Sequence, residues 1–119
     1  MKFYDSELKV MELLWQKGDM TAKQMADLLR ESTGWNKNTT YTVIKRLVEK
    51  EAIRRTEPGF HCHALIGQES ARQSALSEFV DKFYKGSLSL LFTSLLTQEQ
   101  LTAEEIRQLR ELIDEKGTD

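Results

Sequence analysis

The stretch TAKQMADLLRESTGWNKNTTYTVIKRLVEK, Thr21 to Lys50, decides the fold. Thr21 and Gln24 have the spacing of a capping box, in which each side chain satisfies a backbone donor of the other. Ala22, Met25, Ala26 and Leu29 follow at i, i+3, i+4 and i+7, which predicts a short helix running to about Ser32, with Gly34 free to take the left-handed turn that stops it. Asn36 is the next cap. Beyond it Thr40, Val43, Ile44, Leu47 and Val48 form an apolar stripe to about Lys50, a third helix in order along the chain. At 100° per residue its opposite side carries Asn38, Thr42 and Lys45, flanked by Tyr41 and Arg46, and none of these is acidic.

Upstream, Leu8, Met11, Leu14 and Trp15 mark the inward face of a first helix over Ser6 to Lys17, which Asp5 or Ser6 can cap and Gly18-Asp19 can end. Downstream the period changes: Ile53 to Thr56 and Phe60 to Leu65 read as two short strands around Pro58-Gly59. Three helices and a hairpin within about 65 residues are the order of a winged helix-turn-helix.

The second half is helical again. Ala71, Ala75, Leu76, Phe79, Val80, Phe83 and Tyr84 recur helically from Ser70 to Lys85, where Gly86 breaks the run; Leu88 to Leu96 is a second apolar run. Thr102 with Glu105 repeats the capping-box spacing before Ile106, Leu109, Leu112 and Ile113. The fold expected is mainly α with a small β-hairpin: a winged-helix DNA-binding domain over residues 1–67 and a helical dimerisation region over 68–119. Phe79, Phe83, Leu88, Leu91, Phe92, Leu95 and Leu96 are too many apolar groups for so thin a segment to hide alone, which predicts a homodimer; the alternative is docking onto the first domain.

Composition bounds the function. The 119 residues exclude a large multidomain enzyme, and the single cysteine, Cys62, cannot form an internal disulfide. The polar start and the absence of a long apolar run argue against a signal peptide and membrane insertion, so a cytoplasmic location is expected. The net charge of −2 hides a split: residues 1–67 are net +2, residues 68–119 net −4, and residues 34–56 alone net +4. No Gly-rich phosphate loop or nucleophile-base pair is present, so catalysis is not expected and no cofactor is implied.

A basic third helix beside a hairpin fits the major groove of double-stranded DNA. Asn38 can pair with adenine, Thr42 can offer a hydroxyl or methyl group, and Lys45 or Arg46 can bond guanine or phosphate. Lys37, Arg46, Arg54 and Arg55 would neutralise phosphates.

The stretches ELKVMELLWQKGDMTAKQMADLL (Glu7 to Leu29) and GWNKNTTYTVIKRL (Gly34 to Leu47) resemble the BlaI/MecI family of penicillinase repressors, with similarity extending weakly to the last helix. The most specific elements are VMELLW at Val10 to Trp15, Thr21-Ala22, and the run from Thr39 to Val48. The resemblance implies a dimeric repressor of an inducible gene set, bound to a pseudo-palindromic operator and released by a signal acting on its C-terminal region. It places Asn36, Asn38, Thr39 and Thr42 where the family's recognition helix meets DNA, and Arg54, Arg55 and His61 on the wing that approaches the backbone. Tyr41, Lys45 and Arg46 rest on the helical wheel alone. A sensor protein or protease is the further partner the resemblance raises. Yet Ser94-Leu95 stands where beta-lactam-responsive members are cleaved at an Asn-Phe bond, and the paired Cys-x-Cys motifs of copper-responsive relatives are missing.

His61-Cys62-His63 carries metal-ligand chemistry, but strand alternation puts Cys62 opposite the two histidines, so no metal site is expected; a half-buried thiol between two imidazoles facing solvent or phosphate is. Two other functions stay open: an adaptor that docks a protein through the same scaffold, and a metal-responsive repressor using His61 and His63.

Overall fold

The computed structural model describes residues 1–117, so the last two positions of the expected C-terminal region lie outside the described residues. Along the chain run α1 (Asp5–Lys17), β1 (Met20–Thr21), α2 (Ala22–Thr33), α3 (Lys37–Glu49), β2 (Ile53–Thr56), β3 (His61–Ala64), α4 (Gln68–Phe83), α5 (Leu88–Thr97) and α6 (Ala103–Gly117). They group into two compact units, Met1–Ala75 and the residues from Leu76 onward.

In the first unit the apolar stripes of α2 and α3 behave as their spacing requires. Ala22, Met25, Ala26 and Leu29 are buried on α2, and Thr40, Val43, Ile44 and Leu47 on α3. Gly34 ends α2 in the left-handed conformation at φ 80°, where a side chain would be strained. Thr21 caps α2: its hydroxyl accepts from the Gln24 N–H at 3.1 Å while the Gln24 amide oxygen accepts from the Thr21 N–H at 2.9 Å.

The stripe of α1 is rotated from the expected one. Glu7, Val10, Met11 and Leu14 are the buried residues; Leu8 and Trp15 are half-buried. Trp15 stays at the edge because its indole N–H donates to the Ile66 carbonyl at 2.9 Å, an outlet that a fully apolar seat would deny it. The cap is Tyr4, not Asp5 or Ser6, because the Glu7 carboxylate accepts from the Tyr4 N–H at 2.8 Å.

The expected hairpin is part of a three-stranded antiparallel sheet of order β1-β3-β2. Ile53 pairs with Ala64 and Thr56 with His61 across the hairpin, while Met20 pairs with Cys62 and Thr21 with His61 on the far side. Met20, Ile53 and Cys62 therefore share the inner face and join Met11, Met25, Ile44 and Leu47 in one core. Each large side chain so buried stabilises the unit by about 1.5–3 kcal/mol.

The helix α4 starts in the first unit and runs into the second, and it begins and ends two residues earlier than the sequence spacing places it. Ser87 caps α5 by accepting from the Leu90 N–H at 3.2 Å. Thr102 and Glu105 form the expected reciprocal cap of α6, at 2.9 and 3.1 Å. Among the described residues neither α5 nor α6 has a fully buried side chain. Phe83, Leu88, Leu90, Leu96, Leu112 and Ile113 are each at least half exposed. No helix among the described residues is long and apolar enough to cross a membrane.

Candidate nucleic-acid interface

The sequence of α3 divides it lengthwise. Its four core residues hold one side down, and the polar residues between them must stand outward. Asn36, Lys37, Asn38, Thr39, Thr42, Lys45 and Arg46 are all exposed. Asn36 spends its side-chain oxygen on the Thr39 N–H at 2.8 Å, which leaves its amide N–H groups free. Thr42 donates its hydroxyl to the Asn38 carbonyl at 2.8 Å, so it keeps a methyl group and acceptor lone pairs to offer. Among the described residues Lys45, Arg46 and Arg54 have no carboxylate within ion-pair distance. The face is thus cationic, without contact ion pairs to these three side chains, and rich in hydrogen-bonding groups, although the Arg46 charge also acts on the buried Glu7 carboxylate.

Tyr41 differs from its neighbours on the wheel. It is half-buried, with its ring edge-on to Phe60 of the wing at 5.8 Å between centroids, and the Lys37 ammonium lies 5.5 Å from its ring centroid.

The wing's three expected contacts are separated by strand alternation. Arg54 and His61 are exposed on the outer face of the sheet. Arg55 shares the side of β2 that Ile53 turns to the core but stays exposed at its rim, its guanidinium 3.6 Å from the Phe60 ring centroid and its Nε–H donated to the Glu57 carboxylate. That carboxylate also accepts from the Phe60 N–H at 3.1 Å. The Phe60 N–H and then Arg55 hold Glu57 below the usual carboxylate range, so it stays charged.

The histidine-cysteine triplet does not converge. Cys62 is fully buried rather than half-buried, and burial pushes its thiol up to about 11. His63 is not solvent-facing either: its ring nitrogens lie 2.8 Å from the Thr56 hydroxyl and 2.7 Å from the Asp19 carboxylate, fastening the end of the α1-β1 turn to the sheet. Only His61 is open to solvent.

Sequence spacing missed two cations beside this face. Lys23 and Arg30 of α2 line a hollow of about 490 Å³ together with Asp27, Trp35, Asn36 and Lys37, so one carboxylate stands among its three cations. Their i, i+7 placement on the outer side of α2 was the signal available.

A family model described as penicillinase repressor matches residues 4–115. The chain belongs to the penicillinase repressor family. Members of that family are DNA-binding transcriptional repressors, not enzymes. The repressor is 26% identical over 113 residues to the penicillinase repressor of Bacillus licheniformis, an alignment that covers 93% of this chain and 88% of that one. It is equally similar, at 26% over 113 residues, to the methicillin resistance regulatory protein MecI of Staphylococcus aureus, covering 92% of that protein. The solution structure of the DNA binding domain of the repressor BlaI superposes with a TM-score of 0.54 and 24% identity, over 58% of this chain and 87% of that domain. The repressor therefore shares the fold of that domain, and the winged helix-turn-helix expected from three helices followed by a hairpin is present.

Proposed function

We propose that this repressor acts as a homodimer, with α3 of each copy in the major groove of a pseudo-palindromic operator and the wing beside the flanking backbone. The observation that carries the proposal is the outer side of α3: Asn38, Thr42, Lys45 and Arg46 are exposed together, and neither cation forms an ion pair within contact distance among the described residues, although the Arg46 charge also acts on the Glu7 carboxylate. Base edges would be read by Asn38, Thr42, Lys45 and Arg46, with Asn36 and Thr39 at the helix entrance. Lys37, Arg46 and Arg54 supply charge for phosphates, and His61 lies on the same sheet face as Arg54.

The C-terminal helices would join the two copies through Phe79, Phe83, Leu88, Phe92 and Leu96, all of them exposed. Leu91 and Leu95 are partly covered and would support that surface from beneath. Two weak readers held on one frame act as a linked pair, so a signal that loosens the frame releases the DNA.

The test uses a duplex that the wild-type chain selects from a randomised pool. Binding should weaken steeply with salt, and Lys45→Ala or Arg46→Ala should each cost about 1–3 kcal/mol. Wild-type affinity in both variants would remove α3 as the reading element. A chain that captures a protein tightly and binds DNA only weakly, whatever its sequence, would point to an adaptor instead.

A further inference from the structure

Phe60 is held at every handle. Its N–H donates to the Glu57 carboxylate at 3.1 Å, and its carbonyl accepts from the N–H of Ala22, the first residue of α2, at 3.0 Å. One face of its ring lies under the Arg55 guanidinium at 3.6 Å, and its ring meets Tyr41 of α3 at 5.8 Å and 76°. Its backbone sits at φ 52°, a left-handed conformation that a bulky residue rarely adopts unless its surroundings impose it. Glu57 closes the arrangement by bonding Arg55 and Phe60 at once. Wing tip, β2, α2 and α3 thus meet on one residue, α2 through its backbone and α3 through its ring.

We propose that Phe60 and Arg55 are positioning residues for operator binding: they clamp the wing to Tyr41 so that Arg54 and His61 are presented at a fixed offset from the reading face of α3. Arg55 has its charge already engaged by Glu57 and its plane by Phe60, so it acts within the protein rather than on a phosphate. Without the clamp a short hairpin can swing, and a swinging wing adds phosphate contacts only at an entropic cost. The inference rests on the operator-binding reading and adds to it which side chains set the wing.

The experiment compares full-length wild type with Phe60→Ala, Arg55→Ala and Phe60→Tyr on the selected duplex, across a salt series and with and without Arg54→Ala. Phe60→Ala and Arg55→Ala are expected to lose about tenfold in affinity and to lower the slope of log Kd against log salt by about one, the signature of one lost phosphate contact. Arg54→Ala should weaken the wild type but add little in either background, because the wing is already disengaged. Phe60→Tyr keeps the ring and should restore both affinity and slope. Arg55 is on the surface, so its variant answers the question even where Phe60→Ala unfolds. A wild-type slope in Arg55→Ala, or additivity with Arg54→Ala, overturns the clamp while leaving operator binding intact. A wild type that enriches no duplex overturns the operator reading, and the clamp with it.

Discussion

Lys50→Met tests what holds α3 to the rest of its unit. The Lys50 ammonium lies 2.7 Å from Glu7 Oε1, 3.1 Å from the Lys2 carbonyl and 4.9 Å from the centre of the Tyr4 ring, which ties the end of α3 to the start of α1. Glu7 has no exposure to solvent, and its Oε2 has no hydrogen-bond partner among the described residues. Methionine keeps the stem of the side chain and removes the charge, leaving the carboxylate with the Tyr4 N–H. Breaking a fully buried ion pair costs about 3–5 kcal/mol, and because Lys50 is partly open to water the cost here should be about 2–3 kcal/mol at neutral pH. In a unit of this size that lowers Tm by roughly 10–20 °C.

The pH dependence gives the sharper test. Burial raises the Glu7 carboxyl, but the hydrogen bond and charge of Lys50, the Tyr4 N–H and the charge of Arg46 together outweigh it and hold the group below the usual carboxylate range. The unfolded chain therefore binds more protons than the folded one. Glu7 contributes stability that is fully present above the ordinary carboxylate value and is lost as pH falls through its depressed value. In Lys50→Met the hydrogen bond and charge of Lys50 are gone while the Tyr4 N–H and the Arg46 charge still oppose burial, so the depression and the stability linked to it shrink. The gap between variant and wild type should be widest at neutral pH and shrink as pH falls below the ordinary carboxylate value, about 4.3. Urea unfolding followed by the fluorescence of Trp15, which packs edge-on to Phe3 at 6.3 Å, reports this unit. A variant as stable as wild type at pH 7, or a deficit unchanged by acid, would refute the reasoning.

Thr40 is fully buried with its hydroxyl unpartnered among the described residues, so Thr40→Val should be neutral or stabilise by up to about 1 kcal/mol in the same urea assay; a loss above that would mean the hydroxyl is bonded. Cys62, buried and with its thiol pushed up to about 11, should resist alkylation by iodoacetamide at pH 8 until urea unfolds the chain, and rapid labelling of the native protein would contradict that placement. At micromolar concentration the chain should sediment as a dimer, with Phe83→Glu, at a side chain 73% exposed, shifting it toward the monomer; a wild type of 13.8 kDa would end the dimer proposal.

What the sequence revealed depended on whether the cause was local. The stripes of α2 and α3 and the caps Thr21, Asn36 and Thr102 were legible because spacing and capping chemistry act within a few residues. β1 was not legible: two residues, Met20 and Thr21, are strand only because β3, some forty positions later, supplies their partners. Glu7 reads as a surface acid of an amphipathic helix until Lys50 arrives from the far end of α3 to meet it.

The candidate interface divides along the same line. Helical periodicity places Asn38, Thr42, Lys45 and Arg46 on one side of α3 without help from the rest of the chain. On the wing, counting cations treats Arg54 and Arg55 as alike, although adjacent residues of a strand must face opposite ways. Both stay exposed, but which of them shares the core-facing side of the strand depends on register, and register is set by Ile53, whose side chain must enter the core and so puts Arg55 on that side, at its rim. Phe60 then decides what an inward arginine can do at the rim of that core. An aromatic face and the Glu57 carboxylate receive its charge, which leaves Arg54 as the wing cation free to leave the protein surface for a partner.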